Sequence, residues 1–282
     1  MKVVNASIAL LNPTQVSLLI LTSIILGLLS TPAHSCTLKM GYRTNERPPL
    51  INKAPNNEGL YSELYRVAAE KIGCDLVIIR APKKRILKEL REGELDFYPG
   101  FNFTLQRARY TFYIENGLPG GDIGASRMNF PTITHLEQLK GYTLLKASGG
   151  PDYLEGIGGV FVSAEPEMTI TDAMELMAKN RGDFFIYNKA SMEYQLKVDG
   201  NREIKLHPDC CGGIIPSYLG FSRLSEHISE QPNPSYNNDD PLSNHNRPSM
   251  LSAGSIAYKF EQTLKNMYQS GETKLLYKKY YE

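Results

Sequence analysis

Leu90-Arg91-Glu92-Gly93-Glu94-Leu95-Asp96-Phe97-Tyr98 stops a helix on glycine and opens an aromatic-rich strand on aspartate. The phrase returns as Met177-Ala178-Lys179-Asn180-Arg181-Gly182-Asp183-Phe184-Phe185-Ile186-Tyr187. Glycine tolerates the left-handed end of a helix, and aromatic residues favour strands. A helix-to-strand junction of this kind occurring twice predicts two similar α/β lobes.

Working outward, each junction sits in an alternating series. Residues 37–42 (TLKMGY) and 75–80 (DLVIIR) read as strands. Between them Leu60, Leu64, Val67, Ala68 and Ile72 recur at helical spacing, closed by Gly73. Residues 83–92 form a basic helix with Ile86, Leu87 and Leu90 inward, followed by a strand at 95–98. This β-α-β-α-β order predicts a parallel sheet with right-handed crossovers. After Pro119-Gly120-Gly121 the series restarts. Thr134-x-x-Glu137 is a capping box on a short helix, with a strand at 142–147, a helix near 171–179 and a strand at 184–187. Ile256, Ala257, Phe260, Leu264 and Met267 share one helical face, and Leu275, Leu276 and Tyr280 mark a last short helix. Residues 225–252 are rich in Ser, Asn, Pro and Asp without apolar periodicity, which predicts an exposed, mobile loop.

Lys+Arg 31 against Asp+Glu 30 in 282 residues argues against a nucleic-acid footprint and against a polybasic membrane-surface protein. After Lys2 no charged residue occurs until Lys39, and residues 16–29 (VSLLILTSIILGLL) are apolar. A spanning helix needs roughly 20 such residues, so the run fits the core of a secretory signal, with Ala33-His34-Ser35 before the cut. Residues 1–35 are therefore expected to be a signal peptide and Cys36 the mature N-terminus. An uncleaved anchor and a lipidated Cys36 are the alternatives.

All four cysteines, Cys36, Cys74, Cys210 and Cys211, follow the signal. Cys36 and Cys74 each immediately precede a strand. If those strands are parallel neighbours, both lie at one sheet edge within disulfide reach, which predicts a Cys36–Cys74 bridge in an oxidising compartment. Cys210-Cys211 is left open between a vicinal bridge and two thiols. His207 near that pair lacks zinc spacing and reads as solvated loop, so no metal site and no cofactor are expected.

The order of phrases resembles the bacterial extracellular solute-binding proteins of family 3. Lys39-Met-Gly41-Tyr42, Pro48-Pro49-Leu50 and Gly59-Leu-Tyr-Ser-Glu-Leu-Tyr65 lead, followed by Leu90-x-x-Gly93-x-x-Asp96 and Phe103-Thr104-x-x-Arg107. Tyr110-Thr-Phe-Tyr113, Leu136-x-x-Leu139-Lys-Gly141, Gly182-Asp183 and Phe260-x-x-x-Leu264 with Gly271 and Tyr277-x-x-Tyr280 complete the series. The resemblance implies a two-lobed type II periplasmic binding fold, each lobe a mainly parallel sheet flanked by helices. Residues 36–125 would open lobe one, 126–213 would form lobe two, and 214–282 would return to lobe one. Crossings near 119–124 and 212–220 would form a two-segment hinge. The expected function is periplasmic capture of a small, carboxylate-bearing solute, an amino acid or a related compound. The expected partners are that solute and an inner-membrane ABC permease, with the protein a monomer that binds no nucleic acid.

The resemblance also assigns candidate ligand contacts. Arg107 aligns with the family's arginine for the ligand carboxylate, a task its guanidinium fork suits. The bland alternative is a surface arginine, as Arg109 is expected to be. Asn102 stands where relatives use serine, Gly100 would let backbone approach the ligand, and Thr104 shares the Arg107 phrase. Ser148 and Gly149 end a lobe-two strand where N–H groups can cradle an anion, or simply turn the chain. Two departures argue against an ordinary amino acid. Asn188 replaces the aspartate that meets the ligand's ammonium, and Arg47 replaces an aromatic ring. Glu46 could supply the missing carboxylate and Arg47 a second anion contact, or both could equally be solvated loop charges. Tyr61, Phe101 and Tyr187 are candidate aromatic walls, with core packing the default for Phe101. A dehydratase-like enzyme on this scaffold, with Glu46 as acid, and an extracytoplasmic sensor are the competing functions.

Overall fold

The computed structural model describes residues 36–148, 150–166, 168–200, 203–212 and 215–281. The expected signal peptide (1–35) and Gly149 lie outside the described residues.

Strand β1 (Cys36–Arg43) runs into a loop that ends at Gly59 and opens helix α1 (Leu60–Glu70). Gly59 has φ 138°, and a Cβ there would sit 2.5 Å from the Leu50 carbonyl oxygen, so only glycine fits. Strand β2 (Cys74–Ala81) pairs with β1 in parallel, placing Cys36 opposite Cys74. Their disulfide closes with Cα atoms 4.4 Å apart. Helix α2 (Lys83–Glu92) packs Ile86 and Leu90 inward and ends on left-handed Gly93. Strand β3 (Phe97–Pro99), the short helix α3 (Leu105–Ala108) and strand β4 (Thr111–Gly120) follow.

After Gly121 the chain crosses into lobe two. That lobe holds strands β5 (Asp122–Arg127), β6 (Thr143–Ala147) and β7 (Phe161–Glu165), and helix α4 (Ile170–Ala178). Strand β8 (Phe184–Asn188), helix α5 (Lys189–Asp199) and strand β9 (Ile204–His207) complete it. Strand β10 (Ile215–Ser222) then re-enters the first sheet. A two-stranded ribbon, β11 (Glu230–Pro232) and β12 (Ser249–Leu251), and helices α6 (Ile256–Gln269) and α7 (Glu272–Tyr281) finish the fold.

The two sheets have orders β2-β1-β3-β10-β4 and β7-β6-β8-β5-β9. Each is mixed rather than mainly parallel. β10 runs antiparallel to β3 and β4, and β5 antiparallel to β8 and β9, because the crossing strands enter from the opposite end.

The repeated phrase now has its physical reason. The Asp96 N–H donates to the Lys39 carbonyl at 2.9 Å, while the Lys39 N–H donates to Asp96 Oδ2 at 2.6 Å. Asp183 makes the same reciprocal clasp with Thr143, 2.9 Å in both directions. In both lobes the aspartate ties the strand after the helix to its parallel neighbour. Lobe two then buries alternate residues on opposite faces. Phe185 packs toward Met174, Met177 and Met192, and Phe184 and Ile186 pack toward Phe130, Ile133 and Leu139. A Cβ on Gly124 would meet the Phe184 ring at 2.1 Å.

Three local expectations are corrected. The turn at Leu136–Leu139 is 3-10, and Gln138 caps it, accepting from the N–H groups of Thr134 (2.7 Å) and His135 (3.0 Å). The amide reaches back where Glu137, one residue earlier, cannot. His207 is not solvated. It is 1% exposed, with Nε2 2.8 Å from Ser126 Oγ and Nδ1 accepting from the Ile133 N–H at 3.0 Å. Residues 225–252 are largely exposed, as expected, but they hold the β11–β12 ribbon and bond to lobe one. Arg247 donates to the Tyr113 carbonyl at 2.6 Å and stacks 3.8 Å over Phe112, and Asn246 Nδ2 donates to the carbonyls of Asn237, Asp240 and Pro241. Side-chain bonds thus supply the order that apolar periodicity does not. Cys210 and Cys211 form a vicinal disulfide at the edge of lobe two, where Cys210 is buried with Phe130 and Leu139, with Cys211 at φ 77°.

Candidate functional site

The C-terminal ends of β1 and β3 and the starts of β5 and α5 face one another across the lobes and enclose a cavity of about 100 Å³. Arg107 reaches it because Thr104 caps α3, its Oγ1 accepting the Arg107 N–H at 3.1 Å. The Arg107 guanidinium lies 4.3 Å over the Phe101 ring, and Nη1 donates to the Asn102 carbonyl at 2.9 Å. Arg109, two residues on, is exposed. Gly100 adopts φ 62°, and a Cβ there would stand 2.5 Å from the Tyr61 hydroxyl, so the backbone comes close to the cavity wall.

Lobe two contributes Asn188 and Tyr187. Asn188 caps α5, its Oδ1 accepting from the Ser191 N–H (3.1 Å) and hydroxyl (3.2 Å), while Nδ2 donates to the Gly121 carbonyl at 3.3 Å. Its amide is thereby committed to holding the helix and the crossing. Two arginines span the lobes. Arg43, at the end of β1, donates from Nη2 to the Tyr187 hydroxyl at 2.5 Å. Arg47 donates from Nε to Ser191 Oγ at 3.2 Å and stacks 4.6 Å over the Tyr187 ring. Burial opposes ionisation of Tyr187, but the charges of Arg43 and Arg47 outweigh it and hold the phenol's pKa below its ordinary value.

Arg107, Asn102, Gly100, Asn188 and Arg47 therefore line one cavity, together with Tyr61, Phe101 and Tyr187. Thr104 lies outside it and acts through the α3 cap. Glu46 is exposed on an adjacent groove, and Ser148 spends its N–H on the Glu165 carbonyl at 2.9 Å without lining the cavity. Sequence reasoning missed Asp122, the acid that opens β5 directly after Gly120-Gly121. Its Oδ2 accepts from Asn102 Nδ2 (2.7 Å) and the Tyr153 hydroxyl (2.8 Å). Burial, with the Asp122 charge added, pushes the Tyr153 pKa well up, so this phenol stays a donor. Arg43 was also missed. Its signal was a cation at the end of a strand buried on both faces.

Among the described residues no cluster of His, Cys, Asp and Glu could hold a metal ion, and no helix is long and apolar enough to cross a membrane.

No protein-family model matches the chain, and no curated protein matches it. Solved structures do resemble it. An ancestral arginine-binding protein bound to arginine superposes with TM-score 0.64 and 18% identity, over 87% of this chain and 98% of its own. A histidine kinase sensor domain with similarity to periplasmic binding proteins gives TM-score 0.65 and 17% identity, over 87% and 96%. A structure tied to glutathione import through GshT and the cystine ABC importer TcyBC of Streptococcus mutans gives TM-score 0.68 and 15% identity, over 87% and 95%. At these identities the likeness establishes the fold, which is the two-lobed type II periplasmic binding fold that the sequence phrases resembled.

Proposed function

We propose that this chain is an exported solute-binding protein that captures a small, carboxylate-bearing solute by closing its two lobes. The observation that carries the reading is the bridge of Arg43 and Arg47 from lobe one to Tyr187 and Ser191 of lobe two, beside a cavity that also holds Arg107. A solute that meets these guanidiniums of lobe one together with the facing groups of lobe two favours the closed shape, and that shape is what a partner reads. Residues 1–35 would direct export, the protein would act in the periplasm as a monomer, and the partner would be an ABC-type importer. Extracytoplasmic sensing shares the same binding step. The similarity to a kinase sensor domain favours it as the second reading. A dehydratase-like activity fits less well, because Glu46, the acid it would use, lies outside the cavity.

Thermal shift with a panel of small acids, amino acids and sugars tests the reading. A ligand should raise the melting temperature and be recovered chemically unchanged. Arg107→Ala should abolish the shift for any carboxylate ligand. Turnover of the ligand would contradict it, as would a carboxylate shift that survives loss of Arg107. Loss of solute uptake on deleting the gene would separate import from sensing.

A further inference from the structure

Burying a guanidinium is costly unless an opposite charge or a full set of acceptors meets it. Arg43 is 5% exposed, and among the described residues its side-chain hydrogen bond goes to the Tyr187 phenol while its Nε has no hydrogen-bond partner. Arg47 meets a hydroxyl and a ring face. Among the described residues no carboxylate forms an ion pair with either arginine, and the groups acting on their charges include Tyr187 and Tyr42. Among the described residues the cavity is lined by Arg43, Arg47, Arg107, Lys83 and Lys146 against a single carboxylate, Asp122. That carboxylate is already engaged by Asn102 and Tyr153.

We infer that the solute carries two acid groups, one held by Arg107 and the other by the Arg43–Arg47 pair. This rests on the solute-binding reading above. All three guanidiniums line the one cavity, so a single solute can reach both sites. The rings of Tyr61, Phe101 and Tyr187 would flank the carbon chain. An ammonium on that chain has one carboxylate to meet, Asp122, so an acidic amino acid fits while a basic one does not.

Calorimetric titration of the purified protein with glutarate, L-glutamate, butyrate, L-glutamine, L-arginine and inorganic phosphate tests the inference. A second charge-assisted contact should make glutarate or L-glutamate bind at least about tenfold more tightly than butyrate or L-glutamine. Phosphate, too compact to span both sites, should bind no better than butyrate. The double variant Arg43→Gln, Arg47→Gln should narrow the glutarate-to-butyrate ratio to about twofold. If that variant does not fold, the unmodified protein's ratio decides alone. Equal binding of diacids and monoacids, tighter binding of phosphate, or preference for L-glutamine or L-arginine would overturn the two-acid inference and leave solute binding intact. Binding of none of the six would overturn both.

Discussion

Arginines do two different jobs in this molecule, and the difference lies in what neutralises them. Arg127 in lobe two donates to Asp183 at 2.8 Å and to the carbonyls of Met177 and Gly182, each at 2.8 Å. Arg223 pairs with Glu230, and Arg247 lies 3.8 Å from Glu261. Each of these tethers a loop or helix end with a carboxylate that the chain itself provides. Arg43 and Arg47 face a phenol, a hydroxyl and one another. Guanidiniums answered from within hold the fold together. Those left unanswered at the lobe interface await charge from outside.

His207 sharpens the contrast. Buried in lobe two, it also meets no carboxylate, yet it gives up its proton. Burial, aided by the charge of Lys205, pushes its pKa down to about 4. An imidazole can escape an uncompensated charge this way, and a guanidinium cannot.

The comparison can be broken in several ways. The largest effect is expected in acid. The unfolded chain protonates His207 near its ordinary pKa of about 6.5, while the folded chain resists until about pH 4. The His207 contribution to stability is therefore complete above pH 6.5 and declines as pH falls toward 4, by up to about 3 kcal/mol. Urea unfolding at pH 7, 6, 5 and 4.5, compared with His207→Gln, isolates this part. Parallel curves for the two proteins would contradict it.

Next is Arg127→Ala. It leaves Asp183 and two carbonyls without their donor in a half-buried site and should cost about 2–3 kcal/mol in urea unfolding at pH 7. Arg43→Gln, which removes an uncompensated charge, should change the stability of the ligand-free protein by less than about 1 kcal/mol. Equal losses would erase the distinction between the two kinds of arginine.

The smallest effect is spectroscopic. Absorbance titration near 295 nm should show one phenol, Tyr187, ionising below the usual tyrosine range of about pH 10. Arg43→Gln should move it back up, and so should a diacid that takes over the guanidiniums. A titration with no early phenol would show that the two charges do not dominate burial there.

How much of this was legible beforehand follows the same division. The Gly93–Asp96 and Gly182–Asp183 junctions could be read because a local pattern, helix stop then aspartate then strand, has a local cause in the reciprocal clasp. Cys36 and Cys74 could be paired because parallel register puts both at one edge. Arg107, Asn102 and Gly100 could be placed because one short phrase carries them all. Asp122 and Arg43 were hidden, since what matters about them is which distant groups they meet: Tyr153, Asn102 and Tyr187, none adjacent in sequence. The segment 225–252 misled for a related reason. Its order rests on Asn246, Arg247 and Ser249 bonding to backbone and to Glu230, and such bonds leave no periodic trace.

The most direct test of the account is to identify the solute that the protein retains when purified after export, by native mass spectrometry followed by denaturing release. The account predicts a small molecule with two acid groups, present on the unmodified protein and lost from Arg107→Gln and from the Arg43→Gln, Arg47→Gln double variant. A retained cation or uncharged sugar, or a diacid held undiminished by those variants, would contradict it.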